Sequence, residues 1–396
     1  MKFHGIYLVW LLSALLLFGL QAAQAQSEKV LYSFCPQAGC GDGALPGAGV
    51  VMDGKGNLYG TTQLGGADNL GTVFKLSATE TEKVLHSFGS SATDGLGPLE
   101  GLVMDKHGNL YGTTPGGGAG IGSPGTVFEV SPSGVETILY SFCSLQGCVD
   151  GFHPESALIK DKSGNLYGTT AAGGEHGGGT VFEFSASGVF TTLYNFCSQT
   201  GCTDGDSPRA GLVMDKNGNL YGTTYYGGAN NFGTVFELSA GGAETPLHSF
   251  ANDGTDGTYP MAGLVIGKKG KLYGTTTAGG ASGGGVVFAV TTSGTETIVH
   301  TFADTPDGFA PYDALVIDKE GNFYGTTSRG GTDPSGYGTV FEVTAAGAEK
   351  VLYSFTAAPD GAYPYGGVVL DKVGNLYGTT QLGGANNKGT VFKVTP

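Results

Sequence analysis

The sequence predicts an all-β fold, a seven-bladed β-propeller of four-stranded antiparallel blades. Three observations carry that expectation. A short tyrosine motif recurs seven times, three further apolar segments surround every copy, and the two ends of the array hold complementary parts of one blade. Gly-Asn-Leu-Tyr-Gly-Thr-Thr starts at Gly56, Gly108, Gly164, Gly218 and Gly374, with near-copies at Gly270 and Gly321. Its tyrosines, Tyr59, Tyr111, Tyr167, Tyr221, Tyr273, Tyr324 and Tyr377, are spaced by 52, 56, 54, 52, 51 and 53 residues. Four strands repeated at that period are the propeller pattern.

Strand a is a run such as Gly101-Leu-Val-Met-Asp105, and strand b is the tyrosine motif. Strand c resembles Gly125-Thr-Val-Phe-Glu-Val130, and strand d resembles Thr137-Ile-Leu-Tyr-Ser-Phe142. All are short, rich in Val, Leu, Tyr, Phe and Thr, and bounded by Gly, Asp, Asn or Pro, which are strand signals. Asp-Lys-x-Gly-Asn, as in Asp161 to Asn165, is a tight turn, so strands a and b are antiparallel neighbours. A turn such as Ser131-Pro-Ser-Gly134 joins c to d. The array opens on a strand d, Val30 to Phe34, and closes on a strand c, Gly389 to Val394. The first segment is therefore expected to complete the last blade, removing the open edges of a linear array. The glycine inside strand b, Gly60 and its counterparts, marks a close approach by a ring or backbone. The neighbouring Tyr and the strand-c Phe read as packing between blades.

Glycine contributes 74 of 396 residues without a Gly-X-Y period, which excludes collagen and points to many turns. Charged residues are 13% of the chain, and the net charge is -15. That balance argues against nucleic acid and anionic membrane surfaces as partners. Residues 1–25 read as a signal peptide: Lys2, an apolar run from Ile6 to Leu20, then the small-residue site Ala23-Gln24-Ala25. The expectation is one propeller domain over residues 26–396, secreted or periplasmic, monomeric, and without membrane insertion after cleavage.

The motif Gly-Asn-Leu-Tyr-Gly-Thr-Thr, the Gly-Gly that follows and Gly-Thr-Val-Phe resemble the GloVer-type tandem repeat of exported bacterial proteins. The resemblance covers nearly all of residues 30–396 and implies export and repeat architecture, with no assigned activity. The a–b hairpin is also similar to that of NHL-type propellers.

In a propeller the d–a and b–c loops share one face. Here those loops vary while the a–b and c–d turns stay short and uniform, so the variable face is the candidate binding face. Every d–a loop holds Asp-Gly-x-x-Pro, with Asp42, Asp94, Asp150, Asp204, Asp256, Asp307 and Asp360 as the aspartates. A turn role is the reading for all seven. Asp253 and Asp256 form the most calcium-like pair but lack an EF-hand loop. The six cysteines form three Cys-x4-Cys pairs, Cys35/Cys40, Cys143/Cys148 and Cys197/Cys202, in the three longest d–a loops. Local disulfides fit an exported protein better than zinc at that spacing, each worth about 2 kcal/mol. No cofactor or metal is expected.

His86, His248 and His300 take the strand-d Tyr position and read as structural. The grouping of His153, Glu175, His176 and Arg209 on the variable face is the weak catalytic candidate. Candidate binding residues are Glu155, Asp206, Tyr225, Tyr226, Tyr312, Arg329 and Tyr365, with Tyr259 adding to a stacking surface. The positions after Thr-Thr vary freely, and the two after the d–a proline vary too, as in Leu99-Glu100, Arg209-Ala210 and Tyr312-Asp313. The expected function is a binding or scaffold module for an extracellular glycan or protein. The alternatives are an extracellular lyase or hydrolase working from the same face, and a structural envelope component.

Overall fold

The computed structural model describes residues 27–120, 122–303 and 305–396; the expected signal peptide lies outside them. These residues form seven four-stranded antiparallel sheets, the blades of a closed ring. Blade 1 is typical, with strand a at Val51–Met52, b at Leu58–Thr62, c at Thr72–Leu76 and d at Glu82–Ser87. Blade 7 joins Val369–Leu370, Leu376–Thr380 and Thr390–Thr395 to Ser27–Ser33 from the other end of the array. That closing strand starts three residues earlier than Val30, because Ser27, Glu28 and Lys29 pair with Thr395, Val394 and Lys393. Phe34 falls just beyond it and turns into the core. Among the described residues, no helix is long and apolar enough to cross a membrane.

The repeat motif is explained by contacts between blades. The strand-d Phe of each blade meets the strand-c Phe of the next edge-to-face, as in Phe88–Phe128 at 5.1 Å and Phe302–Phe341 at 5.0 Å. Phe34–Phe74 makes the same contact across the closure. Such pairs contribute about 0.5–1.5 kcal/mol beyond the area they bury. The tip of the strand-c ring sits against the strand-b glycine: a Cβ on Gly112 would come 2.6 Å from Cζ of Phe128. Any larger residue would therefore push the ring out of its seam.

Both threonines of the motif are used. The second bonds within its blade, Thr62 Oγ1 to Thr72 Oγ1 at 2.8 Å. The first reaches the next blade's strand-a entry, as from Thr61 to the Glu100 carbonyl at 3.1 Å. Thr379 reaches the Ala48 carbonyl and so repeats the bond across the closure. The motif tyrosine adds a hydroxyl bond to the a–b turn aspartate, as from Tyr59 to Asp53 at 3.2 Å. Blade 5 departs from this pattern. Gly267 replaces the turn aspartate, Val286 replaces the strand-c threonine, and Thr275 is buried with no partner for its hydroxyl.

Each d–a loop also pairs with the b–c loop of the blade it enters. The pairing is a short ladder in blades 2, 5, 6 and 7 and a single bridge in the others, such as Ala44 with Leu64. The residue before the loop proline is left-handed in all seven, and only Gly97 among them is glycine. This pairing fixes the variable face as one surface around the ring's central channel.

Candidate functional site

The seven d–a aspartates are accounted for by the loops they close. Asp150 accepts the Tyr140 hydroxyl at 2.8 Å and both the backbone and side chain of Ser144 at 2.9 Å. Asp42 takes the Tyr32 hydroxyl and the Cys35 amide in the same way. Asp253 is spent on the amides of Thr255 and Asp256, and Asp256 on Ala251 and His248. The cysteines form the three local disulfides Cys35–Cys40, Cys143–Cys148 and Cys197–Cys202. All six have left-handed backbones, φ 47–64°, so the bridge holds a loop path that ordinary side chains disfavour.

The central channel opens on the variable face as a cavity of about 410 Å³. Its wall is built from the two positions that follow the loop prolines: Leu99-Glu100, Glu155, Arg209-Ala210, Met261, Tyr312-Asp313 and Tyr365. The proline and, in every blade but the sixth, the threonine bond from the preceding blade fix this strand-a entry, so its side chains line the channel round the ring. Arg209 pairs with Glu155 at 3.0 Å, and its guanidinium lies 5.3 Å from the centre of the Tyr225 ring. Tyr225 packs against Tyr226 and Tyr259, extending an aromatic patch outward from the channel. On the wall formed by blades 6 and 7, Tyr312 and Tyr365 meet edge-to-face at 4.9 Å, with Gln381 beside them.

Three carboxylates share the channel. Burial, then the charges of Asp313 and Glu155, pushes the Glu100 carboxyl well above the usual range. Asp313 is also raised by burial, although the amides of Gly367 and Ala314 donate to it at 2.6 Å. Burial thus biases Glu100 toward its neutral form, while Asp313 is anchored to the rim of blade 7 through the Gly367 amide.

Among the candidate residues, the structure joins Glu155, Arg209, Tyr225 and Tyr226 in one line of contacts and brings Tyr312 and Tyr365 to the same cavity. Asp206 pairs through its backbone with Tyr226 and bonds its own neighbour Ser207. Arg329 borders a separate shallow hollow with Tyr363 and Tyr365. His153 lies in another hollow, its Nδ1 3.1 Å from the Pro115 carbonyl. Glu175 and His176 are exposed on the b–c loop of blade 3 and line neither the channel nor these hollows. Of the four catalytic candidates, only Arg209 reaches the channel. Glu100 and Asp313 stood out in the sequence only as departures from the repeat. Their convergence depends on blades 2 and 6 facing each other across a closed ring.

The molecule is thus a closed propeller with a polar, tyrosine-walled central mouth and stapled rim loops. The chain belongs to the Gloeobacter/Verrucomicrobia repeat family, which it matches over residues 16–149, 144–269 and 251–396. No curated protein sequence matches it. Similar solved structures include a protein provisionally assigned as a gluconolactonase, at 14% identity and TM-score 0.45, covering 83% of this chain and 93% of that one. A luciferin-regenerating enzyme matches at 14% identity and TM-score 0.44, covering 75% and 91%. A provisionally assigned 6-phosphogluconolactonase from Bacteroides uniformis matches at 15% identity and TM-score 0.47, covering 76% and 82%. Likeness at this level carries no argument about chemistry.

Proposed function

We propose that this chain is an exported binding propeller that takes a neutral glycan unit at its channel mouth. One observation carries the reading: a single cavity brings the Tyr312 and Tyr365 rings together with the Glu155–Arg209 pair and Gln381. Aromatic rings suit the C–H faces of a sugar, and charged hydrogen-bonding groups suit its hydroxyls. The volume of about 410 Å³ lies in the usual range for small-ligand sites, roughly 300–1,000 Å³. Asp313 and the net charge of -15 disfavour an anionic ligand. The three disulfides support an oxidising, extracytoplasmic setting.

Screening a glycan array, then calorimetry on the best neutral oligosaccharide, tests the proposal. Tyr312→Ala/Tyr365→Ala should weaken binding about 10-fold or more, the scale of one lost stacking contact. Binding lost instead in Tyr225→Ala/Tyr226→Ala would move the site to the neighbouring aromatic patch. Failure of every neutral glycan to bind would overturn the reading.

Glu100 favours a second reading, a glycan hydrolase or lyase. A carboxyl that burial raises well above its usual range, sharing a cavity with an anchored carboxylate, is suited to act as a general acid. Glu100→Gln should then abolish product formation from a bound oligosaccharide while leaving its affinity within a few-fold. Product formed at the wild-type rate by that variant would remove the enzyme reading.

A further inference from the structure

Seven corners repeat around the outer rim of the ring. Each combines the penultimate residue of strand d, the d–a aspartate after it, and a residue at or next to the start of strand d in the following blade. In the four tyrosine corners the hydroxyl donates to the aspartate at 2.8–2.9 Å, as in Tyr194–Asp204 and Tyr353–Asp360. Three of those four loops also carry a disulfide. His86, His248 and His300 replace the tyrosine in the other three, and none of their loops has a cysteine.

In the corner between blades 1 and 2, Asp94 Oδ2 accepts from the Ser90 amide and hydroxyl at 2.8 and 2.9 Å, but no hydrogen bond joins it to His86. His86 Nε2 lies 3.5 Å from Asp94 and 3.7 Å from Glu136. His86 Nε2, Asp94 Oδ1 and Glu136 Oε1 are all buried without a partner, and Asp94 is only 2% exposed. Between blades 4 and 5, His248 Nε2 lies 3.1 Å from Asp256 and 3.6 Å from Glu296, whose Oε1 is again buried and unpaired. In both corners one imidazole and two carboxylates offer atoms within 4.8 Å of one another. Two ligands bound at 2.0–2.1 Å to a tetrahedral metal sit about 3.3 Å apart, close to the 3.1–3.7 Å between each imidazole Nε2 and its two carboxylates. A neutral imidazole with two carboxylates also brings two negative charges, which one divalent ion cancels.

We propose that His86–Asp94–Glu136 and His248–Asp256–Glu296 are binding sites for a divalent transition metal of the zinc type. Each would tie two consecutive blades together at rim corners that have no disulfide. The ligand set of one nitrogen and two carboxylate oxygens suits zinc, with water completing the shell. Among the described residues, His300–Asp307 gathers no third ligand at this spacing, so it serves as an internal control.

The test uses the tag-free, oxidised protein, stripped with chelator, equilibrated with micromolar zinc and gel-filtered. Elemental analysis should find about two zinc ions per chain, one for each cluster. His86→Tyr/His248→Tyr installs the residue that four other corners already use, so the fold should survive, and zinc should fall to background. Glu136→Gln/Glu296→Gln should lose it too, while His300→Tyr should retain both ions. Less than one equivalent in the wild type, or wild-type loading of the His86→Tyr/His248→Tyr variant, would overturn the assignment.

Discussion

The seams between blades and the mouth of the channel are built from the same repeat and teach opposite lessons. At a seam the same residues meet the same partners: Phe on Phe and ring on glycine seven times, and threonine on the next backbone six times, with Thr275 the exception. At the mouth the contribution changes from blade to blade, and a glutamate, an ion pair, a tyrosine pair and an aspartate converge from different repeats. Repetition makes a ring that closes, and it supplies nothing that could distinguish one ligand from another. Discrimination has to come from the two residues after each loop proline.

The largest separation between the two regions should appear on truncating an aromatic ring. Phe128→Ala empties a seam between Phe88 and Gly112 and should cost about 3–5 kcal/mol in urea unfolding. Tyr312→Ala at the half-buried mouth should cost under about 1 kcal/mol. Gly112→Ala comes next, at about 1–3 kcal/mol, because the new Cβ meets Phe128 at 2.6 Å and Leu102 at 2.9 Å. Equal losses in the seam and mouth variants would break the comparison.

A titration should sharpen it. Burial, then Asp204, raises Glu244 to about 8, and burial with Asp42 raises Glu82 to about 7. The folded state therefore holds protons that the unfolded chain, with carboxyls near 4.5, has released. Stability should fall as pH rises from 4.5 to about 8 and level off above that. Urea midpoints at pH 5 and pH 8.5 check the sign, and Glu244→Gln should narrow the difference. The smallest effect is a contrast within one motif. Thr379→Val removes a bond to Ala48 and should cost about 1 kcal/mol. Thr275→Val removes a buried hydroxyl that has no partner, so it should be neutral or slightly stabilising.

Fold and site differ in how much of them could be read from sequence. The blades were legible because each strand is local and the spacing of Tyr59 and its counterparts repeats. Closure was legible because Val30–Phe34 lacks strands a to c ahead of it. The pairing of d–a with b–c loops was not, since Asp206 and Tyr226 are brought together by a folded blade and carry no shared pattern. The glutamates at the start of strand d carry no signal of their own in the sequence. Only the packing of consecutive blades puts Glu136 beside Asp94, or Glu244 beside Asp204. Glu100 and Asp313 were visible as irregularities, and the ring alone explains why they interact.

The closing strand also sets an order of events. Ser27–Ser33 is among the first strands to be synthesised, yet its partner Thr390–Thr395 lies more than 350 residues later. Until that partner exists, the early strand is an unsatisfied edge able to pair with any other exposed edge. Final registration is the longest-range contact in the molecule, the kind that topology makes slow. A chain interrupted before residue 390 would have six complete blades and a loose strand looking for a sheet, which makes truncation products of this protein natural seeds for misassembly.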